Sequence, residues 1–193
     1  SGEVLGFGHY SPTSSLRVRM LSFGKKDVDE LALLTAAIER AVAFRSGAGA
    51  GAALLGETNA MRLINSEGDA LPGLVVDRYA DTLVFKFTTA GMARLREPIF
   101  EILARVTGAA HGIERSDATA ARRESFEARD ATAFGDPQAV VMVGAYKPCA
   151  AFIRLARRFD LDALFVNISF VGSKALAKEL DGDGAGVIVT QVV

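Results

Sequence analysis

The sequence predicts an α/β protein in two parts: a mixed α+β unit with a β-hairpin and two main helices, followed by a parallel βαβαβ, Rossmann-like segment. In the first part, runs with the apolar–polar alternation of strands recur around two stretches of helical period, at 27–45 and 92–108. Beyond residue 137, continuous apolar runs alternate with amphipathic ones, as in buried parallel strands joined by helices. We therefore expect two domains, 1–134 and 137–193, that meet near residues 135–137.

The chain opens with two extended runs, 4–10 and 16–23, joined by the turn-forming sequence Ser-Pro-Thr-Ser. Apolar and polar residues alternate in the second run, which predicts a strand with one face in water. A helix follows, for which Asp27 and Glu30 have the spacing of a capping box. Its apolar residues recur at helical spacing and are expected to face inward: Leu31, Leu34, Ile38, Ala41 and Phe44.

A hairpin is predicted from the runs 74–78 and 83–88, which flank Tyr79-Ala80-Asp81. The next helix contains Pro98, which fits only near the first turn or at a kink. The stretch "ARRESFEARD", residues 121–130, is so rich in charge that we expect it to be exposed.

The second part reads as three strands, at 139–144, 163–168 and 187–193, with helices between them. Pro148 is suited to the first position of one helix, and Ser173 is suited to capping the other. The residues of the first of these helices that are expected to face inward share its helical spacing: Cys149, Phe152, Ile153, Ala156 and Phe159.

Composition excludes several classes of protein. The 193 residues carry a formal net charge of −1, so no overall field draws the chain to nucleic acid or to an anionic membrane. One cysteine and two histidines exclude an internal disulfide and a cysteine-based zinc site. The sequence contains neither an apolar run of membrane-spanning length nor a signal peptide, and this predicts a cytoplasmic protein with no membrane partner.

Three segments of the first part carry a resemblance to a known family: "GFGHYSPTSSLRVRMLSF", "TNAMRLINSEGDALPGLVVDRYADTLVFKFTTAGM" and "GIERSD". They resemble bacterial large-subunit ribosomal RNA cytosine-C5 methyltransferases that carry an N-terminal PUA domain. The resemblance implies that residues 2–130 correspond to the end of the PUA domain and the central α/β domain. It also implies weak contact with RNA phosphates, for which the candidate residues are Arg17, Arg19, Arg62 and Arg78.

The same family supplies a cofactor loop, an Asp-Pro-Pro motif and a nucleophilic cysteine from a domain that binds S-adenosylmethionine. None of these is found in this sequence. We therefore expect no enzyme activity, no catalytic residue, no metal and no cofactor.

From Gln138 onward the sequence resembles another family, the periplasmic binding proteins of branched-chain amino acid ABC transporters. The segment "AVVMVGAYKPCAAFIRLARRFDLDALFVNISFVGSKALAKELDGDGAGVIVTQVV" is similar to part of their C-terminal lobe. This resemblance implies that Tyr146 and Phe170 face a ligand cleft and contact a small amino acid. Two resemblances in one chain predict a chimera.

Three other groups of residues have both a chemical and a structural interpretation. Cys149 near a helix N-terminus has the position of a nucleophile, but its spacing favours burial. Glu67 and Asp69 are spaced for acid–base chemistry, but turn formation explains them better. Asp77 and Arg78 are better explained by an ion pair or a hairpin contact than by chemistry. The helix that starts after residue 144 could bind an anion at its N-terminus, but an unoccupied strand–helix junction explains this position better.

The expected function is therefore that of a non-catalytic structural chimera with weak inherited contact with RNA. The alternative is a module that binds a branched-chain-like amino acid in a half-cleft. Because three parallel strands leave exposed edges, we expect the second part to pack on the first, to pair with its strands, or to form a homodimer through a sheet edge.

Overall fold

The structure, a computed structural model, describes residues 2–24, 27–46, 60–136, 139–143, 145–159, 161, 163–168, 173–184 and 186–190. The chain divides into two compact units, Ser1–Pro137 (unit 1) and Gln138–Val193 (unit 2). Each unit has a β-sheet and helices of its own, and the predicted fold class is confirmed.

Unit 1 contains seven strands among its described residues: β1 (Gly6–Tyr10), β2 (Val18–Phe23), β3 (Ala60–Asn65), β4 (Leu74–Tyr79), β5 (Thr82–Phe87), β6 (His111–Arg115) and β7 (Asp130–Phe134). Its described helices are α1 (Glu30–Arg45), α2 (Ala90–Ala93), α3 (Arg96–Thr107) and α4 (Ala118–Glu124). A 3-10 turn, Ser66–Asp69, links β3 to the segment before β4.

Five strands form the main sheet in the order β3-β4-β5-β6-β7. The predicted hairpin is β4–β5, which turns at Ala80 with a positive φ of 53°. All neighbours in this sheet are antiparallel except β5 and β6, which run parallel and are joined through α2 and α3. A parallel pair needs such a crossover because the chain must return to the same end of the sheet.

The core of unit 1 lies between one face of this sheet and the helices α1 and α3. Leu83, Phe85 and Phe87 alternate along β5 and are each 0% exposed. Helix α3 begins at Arg96, so Pro98 falls in its first turn, where it costs no internal hydrogen bond.

Helix α1 differs from the prediction in its cap and in part of its buried face. Asp29, rather than Asp27, is the N-cap, and its carboxylate accepts a hydrogen bond from the Ala32 amide at 3.1 Å. Leu31 and Phe44 are exposed, because the helix buries a narrower stripe: Leu34, Ala37, Ile38, Ala41 and Val42.

Strands β1 and β2 pair only with each other among the described strands, and together with loop 11–17 they form what we call the β1–β2 hairpin. Its exposure reverses the predicted alternation at three positions, whereas Ser15 and Arg17 are exposed as predicted. Leu16 and Val18 are exposed, whereas the Arg19 side chain is only 14% exposed. The reversal arises because Arg19 has a buried partner elsewhere in unit 1.

Unit 2 is a parallel three-stranded sheet of order β10-β9-β8, in which β9 (Leu164–Ile168) lies between β8 (Ala139–Val143) and β10 (Ile188–Thr190). The connecting helices are α5 (Tyr146–Arg158) and α6 (Ser173–Leu180). A short 3-10 helix, Asp181–Gly184, follows α6.

Helix α5 buries a smaller face than its periodicity predicted. Cys149, Ile153 and Ala156 are buried, but Phe152 and Phe159 are 44% and 78% exposed, so these two inward predictions were wrong. Residues as small as Ala150 and Ala156 occupy the buried stripe, and only a narrow strip of the helix contacts the sheet.

Candidate nucleic-acid interface

A polar cavity of about 550 Å³ opens on the surface of unit 1. We call it the polar pocket. Hydroxyl and charged side chains line most of it, and its lining residues are Thr13, Ser14, Ser15, Arg19, Thr88, Ala120, Arg123 and Glu124.

Three elements of unit 1 meet at the polar pocket. Loop 11–17 of the β1–β2 hairpin forms one wall and is closed by a hydrogen bond from the Ser11 amide to the Arg17 carbonyl, at 2.8 Å. Thr88, just after β5, and helix α4 form the rest. Asp117 caps α4 by accepting from the Ala120 amide at 2.8 Å, and this bond lowers the pKa of the Asp117 carboxyl.

A buried ion pair crosses the pocket and joins the hairpin to α4. The Arg19 guanidinium donates to both carboxylate oxygens of Glu124, at 2.8 and 3.4 Å. The two side chains are only 14% and 5% exposed. Burial alone would raise the pKa of Glu124, but hydrogen bonds from Ser14, Arg19 and Ser11 hold it below its ordinary value, so the carboxylate stays ionised.

Arg123 is the exposed cation of the pocket. It precedes Glu124 in the last turn of α4 and, among the described residues, forms no ion pair. Its neighbour Arg122 is equally exposed but does not line the cavity. Arg17 is also exposed, and its guanidinium donates to the Pro12 carbonyl within the loop.

Two of the four predicted RNA contacts lie elsewhere in unit 1. The Arg62 guanidinium forms a bidentate pair with Asp77 on the neighbouring strand, at 2.8 and 3.1 Å. Arg78 donates to the Ala80 carbonyl at 2.8 Å and thereby closes the β4–β5 turn. Of the four arginines only Arg19 lines the polar pocket, and Arg17 lies in the loop that walls it.

A second network anchors the β1–β2 hairpin at His9, which lies opposite Arg19 in the strand pairing. The His9 imidazole contacts the Glu30 carboxylate at 2.8 Å, and Arg94 binds the same oxygen at 2.5 Å. Burial lowers the pKa of His9, which favours the neutral ring. The hairpin is thus tied through β1 to α1 and through β2 to α4.

A third buried network lies beneath the end of the main sheet. Arg96 on α3 binds both oxygens of Glu114 on β6, at 3.1 and 2.8 Å. The Ser116 hydroxyl donates to the same carboxylate at 2.6 Å. The guanidinium also lies 5.4 Å from the Phe87 ring centre and 5.7 Å from that of Phe126. Both charges are satisfied, so this pair holds α3 and β6 together.

The chemical readings of the other candidates receive no support from their surroundings. Cys149 is buried, and burial raises the pKa of its thiol, which opposes nucleophilic reactivity. Asp69 pairs with Arg45 at 3.0 Å and accepts from the Asn65 amide at 2.6 Å, a role in the turn. Tyr146 begins α5 and packs against the apolar core of unit 2, and Phe170 lies outside the described residues.

Within the part of the chain that the structure describes, no three metal-binding side chains come together. In the same part, no helix has the length and apolar character needed to cross a membrane.

Of the eight residues that line the polar pocket, sequence reasoning singled out Arg19 and missed the other seven, among them Ser14, Thr88, Arg123 and Glu124. Glu124 and Arg123 lie in the charged stretch that was expected to be exposed, yet Glu124 is 4% exposed. The run Thr-Ser-Ser at 13–15 and the adjacent arginines at 122 and 123 are the only local signals. Neither indicates that the two segments meet.

No family model matches the chain. Over 144 residues it is 33% identical to Ribosomal RNA large subunit methyltransferase I of Alteromonas mediterranea, a match that covers 74% of this chain and 35% of the relative. It is 35% identical over 123 residues to the protein of the same name from Shewanella denitrificans, covering 64% and 30%. These relatives are named as ribosomal RNA methyltransferases. The chain spans about a third of the length of the curated relatives it matches.

Two solved structures share the fold over nearly the whole chain. SMU.776, assigned as a methyltransferase and solved in complex with SAH, has a TM-score of 0.56 at 14% identity and covers 98% of this chain and 59% of its own. A protein from Streptococcus mutans that is assigned to the SAM-dependent methyltransferases has a TM-score of 0.55 at the same 14% identity, over 97% of this chain and 59% of its own. At this identity the likeness concerns the fold alone.

These comparisons correct the expected function. The non-catalytic, structural interpretation is contradicted, because the relatives at 30–35% identity are named as methyltransferases. The alternative of an amino-acid-binding module is contradicted by the same finding, and with it the small amino acid as a partner. A chimera with a periplasmic binding protein is not supported, because single methyltransferase chains share the fold over nearly all of this one.

Proposed function

We propose that this chain acts in the methylation of ribosomal RNA in the cytoplasm, and that unit 1 contacts the RNA through the polar pocket. The similarity to ribosomal RNA methyltransferases supports the substrate class. The observation that carries the proposal is the pocket itself, a cavity of about 550 Å³ lined by hydroxyl groups and an exposed arginine.

The charges of the pocket suit an anionic partner although the whole chain is nearly neutral. Two arginines line it against one glutamate, and Arg19 neutralises that glutamate. One positive charge, on Arg123, therefore remains to bind phosphate. Arg17 in the wall of the pocket completes the proposed surface, while contact of Arg62 or Arg78 with RNA stays a prediction.

The described residues of unit 2 do not fit a nucleoside methyl donor in the usual manner of such folds. The loop after the first strand of a Rossmann-like unit normally carries several glycines, and the second strand ends near a carboxylate that binds ribose. Here the sequence between β8 and α5 has only Gly144, and β9 carries Asn167, a buried amide. We therefore assign RNA contact to unit 1 and assign no contact with a methyl donor to the described residues of unit 2.

Methyl transfer and RNA binding test the proposal separately. The full chain, incubated with large-subunit ribosomal RNA and tritiated S-adenosylmethionine, is expected to incorporate label into the RNA. Its affinity for the same RNA should fall steeply with salt, because each neutralised phosphate releases counterions. Absence of both label and salt-dependent binding would refute the proposed function.

A further inference from the structure

The polar pocket has no surface on which a base could stack. Its lining contains no aromatic ring, and its single apolar side chain is that of Ala120. Proteins that hold unpaired bases do so mainly on aromatic faces, each worth about 1–3 kcal/mol. The pocket therefore suits the sugar–phosphate backbone rather than the base.

The groups present are those that bind a phosphodiester. Three hydroxyl groups of the lining, on Thr13, Ser15 and Thr88, can donate and accept hydrogen bonds, whereas the Ser14 hydroxyl is already bound to Glu124. Arg123 supplies a planar cation of the kind that pairs with phosphate oxygens. The Glu124 carboxylate does not repel an anion strongly, because Arg19 binds both of its oxygens.

The volume also favours a unit larger than a bare ion. A cavity of about 550 Å³ falls within the range of roughly 300–1,000 Å³ of sites that enclose small organic ligands. One sugar–phosphate unit is of this size class, and the two walls of the pocket can contact it from both sides.

We infer that the polar pocket binds one phosphodiester of a single-stranded RNA backbone, with Arg123 neutralising the phosphate and the surrounding hydroxyl groups holding the sugar–phosphate unit, without reading the base. The inference rests on the proposed function, which supplies RNA as the substrate class. It narrows that function to a contact that tolerates any sequence at this position.

Fluorescence anisotropy with three labelled single-stranded probes tests the inference: an oligoribonucleotide, the same backbone without bases, and the same sequence with uncharged methylphosphonate linkages. Arg123→Ala should weaken binding of the first two probes by roughly 5- to 20-fold, the range of one partly exposed charge-assisted hydrogen bond. The slope of log affinity against log salt should become shallower by about 0.7, the value for one phosphate of a single strand. The methylphosphonate probe should bind weakly and show no effect of Arg123→Ala.

Arg122→Ala is the matched control, since it removes the same charge from the same exposed helix outside the cavity. It should change affinity by less than about twofold, because a surface charge that makes no direct contact is largely screened. Equal losses in both variants would overturn the inference in favour of a diffuse electrostatic effect. A loss with the complete probe but not with the base-free one would overturn it in favour of base recognition.

Glu124→Gln provides a test of opposite sign. It removes the only negative charge of the pocket lining, while the amide oxygen of the new side chain can still accept the hydrogen bond by which Arg19 ties the hairpin to α4, so binding of the base-free probe should tighten by roughly 3- to 10-fold. Circular dichroism establishes that each variant is folded. If the unaltered chain binds RNA but none of these variants changes its affinity, the pocket inference fails while the proposed action on ribosomal RNA stands. If the unaltered chain neither binds RNA nor incorporates label into it, both fail.

Discussion

The buried pair Arg96–Glu114 offers a quantitative test of how unit 1 is held together. The side chains are 9% and 2% exposed, and the guanidinium binds both oxygens of the carboxylate. Arg96→Met removes the buried guanidinium from Glu114, whose remaining side-chain donor among the described residues is the Ser116 hydroxyl, at 2.6 Å. Loss of one partner of a buried pair costs about 3–5 kcal/mol, because the remaining charge is uncompensated.

The companion variant Arg96→Met/Glu114→Leu removes both charges. We expect it to be more stable than Arg96→Met, with a residual loss of about 1–2 kcal/mol. This remaining loss of stability arises because Arg96 also donates to the carbonyls of Ala93 and Glu127. These acceptors lose their donor in both variants. Together with Glu114→Leu the variants complete a double-mutant cycle, in which we expect a coupling energy of about 4 kcal/mol or more, because each single variant leaves one buried charge unpaired and the double variant leaves none.

Urea unfolding followed by circular dichroism measures each free energy. A loss of about 4 kcal/mol corresponds to a melting temperature lower by roughly 10 °C, at the 2–4 °C per kcal/mol typical of chains of this size. A coupling energy below about 0.5 kcal/mol would refute the reasoning, because it would mean that solvent reaches the pair and screens it. A double variant as unstable as the sum of the single ones would refute it equally.

Two further predictions concern the ties of the β1–β2 hairpin. The pKa of Glu124 lies below its ordinary value of 4.5, so the ionised carboxylate stabilises the fold above about pH 5, and this stability is lost as pH falls below 4.5. The midpoint of urea unfolding should therefore drop less in that pH range for Glu124→Gln than for the unaltered chain. An equal drop of the urea midpoint in both proteins would show that titration of Glu124 does not cause the loss of stability. Gly91→Ala would place a methyl group 2.3 Å from the His9 ring and should lower the free energy of unfolding by about 1–3 kcal/mol. Gly68→Ala is the control: its nearest contact is at 3.5 Å, and it should cost less than about 1 kcal/mol. Equal costs would show that the His9 ring yields to the added methyl group.

Local periodicity was enough to predict most elements of the fold. The hairpin β4–β5, the position of Pro98 in the first turn of α3 and the βαβαβ order of unit 2 all follow from patterns within about ten residues. The buried faces were less predictable where an element is short or narrow. Phe152 and Phe159 obey the helical spacing of α5 but remain exposed, because spacing does not fix how much of a helix the sheet covers.

The candidate site depends on contacts that no local pattern contains. Arg19 and Glu124 are 105 residues apart in sequence, and each looked like an ordinary solvated charge within its own segment. Only the pairing of the hairpin with α4 buries them and forms the pocket between them. Sequence reasoning therefore found Arg19 but could not identify Glu124 or Arg123 as its neighbours.

Because the β1–β2 hairpin is attached to the rest of unit 1 by side chains, it can detach from unit 1 without breaking the main sheet. Backbone pairing joins β1 and β2 only to each other among the described strands, so the hydrogen bond of His9 with Glu30 and the ion pair of Arg19 with Glu124 hold the hairpin against the rest of unit 1. If the hairpin lifts, the wall that carries Ser14 moves with it, and the cavity ceases to exist. A ligand that contacts both the hairpin and α4 must therefore shift this equilibrium toward the closed form.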